Sequence, residues 1–281
     1  MSDIDDFYTA RNLLYLGAYP QALANLSGLP RTCNELELKS LQYRAYLGQG
    51  NTALVLAEIS LTAHPTLLAI RHLALKDAAS TQTLASDAAN QQSATFAAIA
   101  AQTLASAGLT DDALRLLDQH PRSLECVLLT VAIYLTIDRV DLAQKLVARA
   151  RTWSDDAPLA QLAEAWTALA QGKVNEAHYA LLELAQASSV DTARLYCALA
   201  VTKMHLAQYA EAEALLQSAL EKDPNHPDTL ANLAICASLS ANSAARARYL
   251  SQLAHAAPAH PFLLDLDMAG ARFDAALAQV K

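Results

Sequence analysis

"AQYAEAEALLQSALEKDPNHP", residues 207–227, carries a small residue two places before a tyrosine. Ala212, Leu216 and Ala219 then follow at helical spacing, and Pro224 closes the run. Residues three and four apart share one face of a helix, so this segment presents a stripe of small and bulky side chains in fixed order. The frame recurs. "GAYPQALANL" supplies Gly17, Tyr19, Ala22 and Leu26, and "GNTALVLAEI" supplies Gly50, Thr52, Val55 and Ile59. "GLTDDALRLL" gives Gly108, Thr110, Ala113 and Leu117. "DRVDLAQKLVARA" gives Val140, Ala143, Val147 and Ala150, and "GKVNEAHYALLEL" gives Gly172, Val174, Ala177 and Leu181. The alanine position falls at 22, 55, 113, 143, 177 and 212, separated by 33, 58, 30, 34 and 35 residues. The wide gap holds room for one degenerate copy near "STQTLASDAANQQ", and a further copy is expected at Arg246 and Leu250.

A period of about 34 residues with this skeleton resembles the tetratricopeptide repeat, a helical hairpin that stacks on its neighbours. Small residues are needed where the two helices cross closely, because a larger side chain would overpack by about 1–3 kcal/mol. The tyrosine, or its aliphatic substitute, fills the space between hairpins. The expected fold is all-α, a tetratricopeptide-like helical-hairpin solenoid, a curled superhelix of about eight units. Residues 1–281 are expected to form a single array, with the degenerate unit around 66–92 and C-terminal capping helices at about 261–281.

Composition agrees. Of 281 residues, 53 % are hydrophobic and 17 % charged, which is ample apolar material to fold. Only 7 Gly and 9 Pro leave few tight turns in a chain rich in the helix formers Ala and Leu. A net charge of −8 excludes a basic nucleic-acid footprint and disfavours direct binding to anionic lipid. Cys33, Cys126, Cys197 and Cys236 stand far apart without a C-x-x-C pair, which predicts buried intracellular thiols rather than a zinc site or disulfide framework. "MSDIDDFYTA" lacks an apolar signal core, so a cytosolic protein is expected. Ala88 to Thr110 carries no formal charge, but it contains the polar Asn90, Gln91, Gln92 and Gln102 and reads as a buried helix rather than a membrane span.

Motifs that carry chemistry are missing. No phosphate-binding G-x-x-x-x-G-K-[ST], dinucleotide G-x-G-x-x-G, zinc H-E-x-x-H or nucleophile G-x-S-x-G occurs. The adjacent pairs Asp111-Asp112 and Asp155-Asp156 point about 100° apart on a helix and read as first-turn acids that favour the dipole. Glu125-Cys126 is embedded in "SLECVLLTVAIYL", an apolar helix where a thiol would be inert. Four His-Pro pairs, at 64, 120, 226 and 260, read as junctions that end helices. No enzyme and no cofactor is expected.

In tetratricopeptide arrays the first helix of each hairpin lines the concave face. That frame places Phe7, Arg11 and Leu14, then Leu41, Arg44 and Leu47, on the inner wall. Leu162, Trp166 and Leu169, then Val201 and Met204, then Ile235 continue it, with Leu128 and Leu135 between. The wall is mostly apolar, so it is either the array's own core or covered by a partner segment, since soluble monomers expose apolar patches of only about a few hundred Å². A carboxylate clamp of the chaperone type would need polar groups where Phe7, Leu41, Leu128 and Leu162 stand.

Several stretches together resemble the epsilon-subunit family of coatomer, the COPI vesicle coat. They are "DDFYTARNLLYLGAYPQAL" (5–23), "YRAYLGQGNTALVLAEI" (43–59), "SLECVLLTVAIYLTIDRVDLAQKLVARA" (123–150), "LAQLAEAWTALAQG" (159–172), "RYLSQL" (248–253) and "HPF" (260–262). The ordered set carries the resemblance, and Ala78 to Ala101 departs most. The resemblance implies a non-catalytic coat subunit whose array encloses a C-terminal segment of the coatomer alpha subunit and meets the remaining subunits through the complex. It also implies a cytoplasmic location, peripheral on Golgi membranes and COPI-coated vesicles without membrane insertion, in Golgi-to-ER retrograde and intra-Golgi transport. The alternative is another peptide-binding adaptor or co-chaperone scaffold of the same repeat type.

Overall fold

A computed structural model of the chain describes residues 6–30, 33–154, 157–188 and 190–280. Among these residues every regular element is a helix. The chain divides into two compact units, Met1–Val190 and Asp191–Lys281.

Among its described residues the first unit holds six hairpins. Helix α1 (Tyr8–Tyr15) pairs with α2 (Tyr19–Ser27), and α3 (Glu35–Gly48) with α4 (Thr52–Glu58). In the third hairpin α5 (Pro65–Leu75) pairs with α6 (Ala78–Ala85), which is followed by the single turn α7 (Ala88–Gln91). The remaining pairs are α8 (Ala94–Ser106) with α9 (Thr110–Asp118), α10 (Leu124–Thr136) with α11 (Val140–Arg151), and α12 (Pro158–Ala170) with α13 (Val174–Ser188). The second unit holds α14 (Ala193–His205) with α15 (Tyr209–Lys222), α16 (Pro227–Leu239) with α17 (Ser243–Ala256), and the long helix α18 (Pro261–Val280).

One kind of turn builds these hairpins. A residue of positive φ stands at 17, 50, 76, 108, 138, 172, 207 and 241. In each case the next residue donates its N–H to the carbonyl five places back, as Ala18 to Leu13 (2.8 Å) and Gln208 to Lys203 (2.9 Å) do. This is the Schellman closure, which satisfies carbonyls orphaned at a helix end and requires a left-handed residue. The second helix starts two residues after that point every time. The alanine position of the frame follows three residues into it. Ala22, Val55, Ala113, Ala143, Ala177 and Ala212 are all buried, and Thr81 takes the same place in the degenerate unit. Its hydroxyl is satisfied by the Asp77 carbonyl at 2.7 Å, so a polar residue is tolerated there.

The eighth copy corrects one expectation. Arg246 occupies the frame position but is exposed, and Leu250 is only partly buried. Helix α17 docks through Tyr249 and Leu253 instead. A guanidinium cannot enter the close helix crossing without losing its hydration, so the helix turns it outward.

The inter-hairpin role of the tyrosine is visible at Tyr19, whose ring occupies the space that a Cβ on Gly48 would need. Only glycine lets the ring seat against α3. The His-Pro pairs also differ from expectation. Pro65, Pro227 and Pro261 open helices rather than following them. Proline at the first helical position lacks an N–H that would have no partner anyway, and its φ is preset. His64 and His226 cap their helices by accepting the N–H of Thr66 and Thr229, both at 3.3 Å. His120-Pro121 alone follows a helix, α9. The uncharged stretch from Ala88 to Thr110 is not one buried helix: α8 is buried on most faces, but α7 ahead of it has no buried residue, and no helix among the described residues is long and apolar enough to cross a membrane.

Candidate functional site: the first-helix faces

In the first unit the expected wall residues divide into three kinds. Phe7, Leu14 and Leu41 are buried in a cluster with Ala10, Leu26 and Ala45. Leu162 and Leu128 are also buried, while Leu47 is partly buried against the neighbouring core. These side chains serve the unit's own packing. Trp166 is 36 % exposed, and Leu169 beside it is half-buried.

The third kind is polar. Arg44 on α3 forms an ion pair with Glu125 on α10, with side chains only 13 % and 18 % exposed. A second Arg44 nitrogen donates to Glu125 Oε2 at 3.4 Å, and Tyr15 on α1 donates its hydroxyl to the same oxygen at 2.9 Å. The Arg44 guanidinium also lies 5.9 Å from the Tyr15 ring centroid. First helices from hairpins one, two and five therefore meet at one carboxylate, and α1 reaches α12 of the sixth hairpin as well. Arg11 pairs with Glu37 nearby. Burial, then the Glu125 carboxylate, hold the Tyr15 hydroxyl well above the ordinary tyrosine range. Burial works against the charge of Arg44, yet Glu125 and Tyr15 outweigh it and raise its pKa. Removing one member would strand buried polar groups, which is the costly way to break such a set.

In the second unit Val201 and Met204 on α14 and Ile235 on α16 are half-buried. They flank a core of Ala200, Ala212, Leu216 and Leu233 without being absorbed into it, although Met204 packs against its edge.

Among the described residues no group of three or more His, Cys, Asp or Glu could hold a metal ion. Burial pushes the Cys126 thiol up to about 11, and raises Cys197 and Cys236 as well. Asp111 and Asp112 lie in the first turn of α9, and Asp112 accepts from Arg115 at 3.2 Å. Asp155-Asp156 lies outside the described residues. A groove of about 590 Å³ runs elsewhere, between α9, α10 and α11, floored by Leu117, Val127 and Leu142.

Sequence reasoning missed Tyr15 and Glu37, and it noted Glu125 beside Cys126 without finding its partners. Glu125 is a charged residue in an otherwise apolar helix, which signals a buried partner, but its partners stand 81 and 110 residues away and no spacing points to them.

A family profile described as coatomer epsilon subunit matches residues 3–281. Coatomer subunit epsilon-1 of Oryza sativa subsp. japonica is 33 % identical, covering 100 % of both chains. Coatomer subunit epsilon-1 of Arabidopsis thaliana is 31 % identical over 99 % of this chain and 98 % of its own. Coatomer subunit epsilon of Caenorhabditis elegans is 32 % identical over 96 % of this chain and 97 % of its own. Two solved structures share the fold at low identity. A tetratricopeptide repeat protein from Parabacteroides merdae superposes with a TM-score of 0.56 at 13 % identity, over 90 % of this chain and 92 % of its own. A chain of the APC/C hetero-tetramer Cut9-Hcn1 gives 0.64 at 15 % identity, over 90 % of this chain and 53 % of its own, so the protein spans about half of that chain.

Proposed function

Because the chain belongs to the coatomer epsilon-subunit family, a component of the COPI vesicle coat, we propose that it is a non-catalytic structural subunit that holds a C-terminal segment of the coatomer alpha subunit. It would act in the cytoplasm, peripherally on Golgi membranes and COPI-coated vesicles, in retrograde and intra-Golgi transport. The full-length family match carries the reading. The first-helix faces support it, because they keep apolar groups that the chain buries only in part, Trp166 and Leu169 in one unit and Val201, Met204 and Ile235 in the other. Apolar side chains held half-exposed on a rigid scaffold are suited to gain area from a partner segment at about 25 cal/mol per Å². The Arg44–Glu125–Tyr15 set braces the first unit before any partner arrives, which lowers the ordering cost of binding.

The test is co-elution in gel filtration of the chain with a fragment from the C-terminal end of the alpha subunit. A joint peak is expected, and Trp166→Asp should weaken it while leaving the circular dichroism of the free chain unchanged. Separate peaks with wild-type protein would remove the proposal. Enrichment of chaperones instead of coat subunits on the immobilised chain would favour the adaptor alternative.

A further inference from the structure

Helix α18 is not finished the way the other helices are. Its first turn is anchored, with Phe262 and Leu263 packed on the core of the second unit. From Leu264 to Ala278 every residue is exposed, and Leu266 (36 %), Phe273 (68 %) and Leu277 (48 %) are among the large apolar side chains in that run. A helix face on which no neighbouring repeat stacks is ordinarily polar.

Leu264 and Met268, each 51 % exposed, lie on the far side of the helix, and the other large apolar side chains gather on one face. Phe262, Leu266, Ala269, Phe273 and Ala276 follow a four–three–four–three spacing, the seam of a helix pair packed nearly along a common axis. This is not the face a further repeat would use. Pro227 and Pro261 open α16 and α18 one repeat apart, and the same offset maps buried Leu233 and Ala234 onto Asp267 and Met268. A hairpin crossing of the α16–α17 kind would put a carboxylate and a long side chain where the repeat needs leucine and a small residue. The flanks of the stripe are acidic. Asp265 borders one side and Asp267 and Asp274 the other, against the single base Arg272.

We propose that the stripe of Leu266, Ala269, Phe273 and Ala276 on α18 is a docking surface for an amphipathic helix of another polypeptide whose apolar face is flanked by Lys or Arg. Charge selects that occupant. A second copy would bring three carboxylates per helix together with one arginine each, and like charges at such flanks oppose pairing. A bilayer surface is matched poorly as well, since helices that lie on membranes carry Lys and Arg on the polar face. The surface belongs to the second unit alone and does not rest on the alpha-subunit reading.

The experiment uses the full chain and two synthetic peptides of three heptads that share one leucine stripe, one flanked by Lys and the other by Glu. Fluorescence anisotropy should show the Lys-flanked peptide binding at least tenfold more tightly. Phe273→Asp and Leu266→Asp should each abolish that preference, and Phe273→Leu should keep it. These positions are exposed, so the melting curve should be unchanged and a folding defect is excluded directly. Equal binding of both peptides, binding of neither, or binding indifferent to Phe273→Asp overturns the proposal. So does a concentration-dependent dimer in sedimentation that Phe273→Asp dissolves, or flotation of the chain with phosphatidylcholine–phosphatidylserine vesicles that the same change abolishes.

Discussion

Arg44→Met and Glu125→Met, made singly and together, probe the contact that joins hairpins one, two and five. Both side chains lie mostly out of water, at 13 % and 18 % exposure, and Tyr15 donates to the same carboxylate. Breaking a buried pair by removing one partner costs about 3–5 kcal/mol when the remaining charge is fully enclosed. The residual exposure of this pair lets some water in, so about 2 kcal/mol is expected for each single change. The double change leaves no stranded ion, only the Tyr15 hydroxyl, and should cost about 1 kcal/mol in all. The coupling is then about 3 kcal/mol, at the upper end for residues in one network. Urea is the denaturant to use, since guanidinium is itself a salt and would screen the pair. Circular dichroism gives the stability, and amide exchange on α3 and α10 reports whether the loss is local. Strictly additive single effects, with coupling below about 0.5 kcal/mol, would show that the three side chains do not act as a unit and would refute the reasoning.

Three further changes test the hairpins themselves. Ala207 holds a left-handed conformation (φ 56°) that costs a non-glycine residue about 1–2 kcal/mol. Ala207→Gly should therefore raise the urea midpoint by an amount equivalent to at most about 1 kcal/mol, after glycine's greater unfolded-chain entropy is offset; a lower midpoint would contradict the Schellman assignment. Gly48→Ala drives a Cβ into the Tyr19 ring, and should destabilise by about 1–3 kcal/mol, with partial recovery in a Tyr19→Ala background; an unchanged melting temperature would mean the ring does not seat there. Burial lowers the pKa of His226, whose Nδ1 caps α16 in its neutral form. A depressed pKa on the folded side means the contribution is present above the ordinary value of 6.5 and fades as pH falls through it, because the unfolded chain takes up the proton more readily. Stability should decline below about pH 6.5 in the wild type, and less steeply in His226→Asn, which keeps a capping oxygen; parallel pH profiles would exclude this source.

The repeat was legible because its cause is local. A left-handed turn residue, a small residue five places after it and a bulky one four later are dictated by how two helices cross, so Gly17, Ala22 and Leu26 announce the hairpin without knowledge of the rest. The degenerate unit hid the same geometry behind unlike residues. Lys76 takes the left-handed turn and Thr81 the crossing, where its hydroxyl is satisfied by the Asp77 carbonyl. Arg246 shows the opposite failure, a position correct in period that chemistry turns outward. The candidate faces were legible only in part. A helical apolar stripe does not tell which members the chain itself buries, so Phe7 and Trp166 look alike in sequence and differ in the fold. Glu125 could be flagged as misplaced in an apolar helix, but its partners come from hairpins far along the chain and depend on curvature that no short pattern encodes.

The chain has two tryptophans, Trp153 and Trp166, so Trp153→Phe leaves a single reporter on the proposed binding face. Emission from Trp166 should be followed while a tryptophan-free fragment from the C-terminal end of the alpha subunit is added. A saturable blue shift at one fragment per chain, as the 36 % exposed indole loses water, is the predicted result. A spectrum that does not move while the two proteins still form a complex would place the contact with that fragment elsewhere and contradict the proposal.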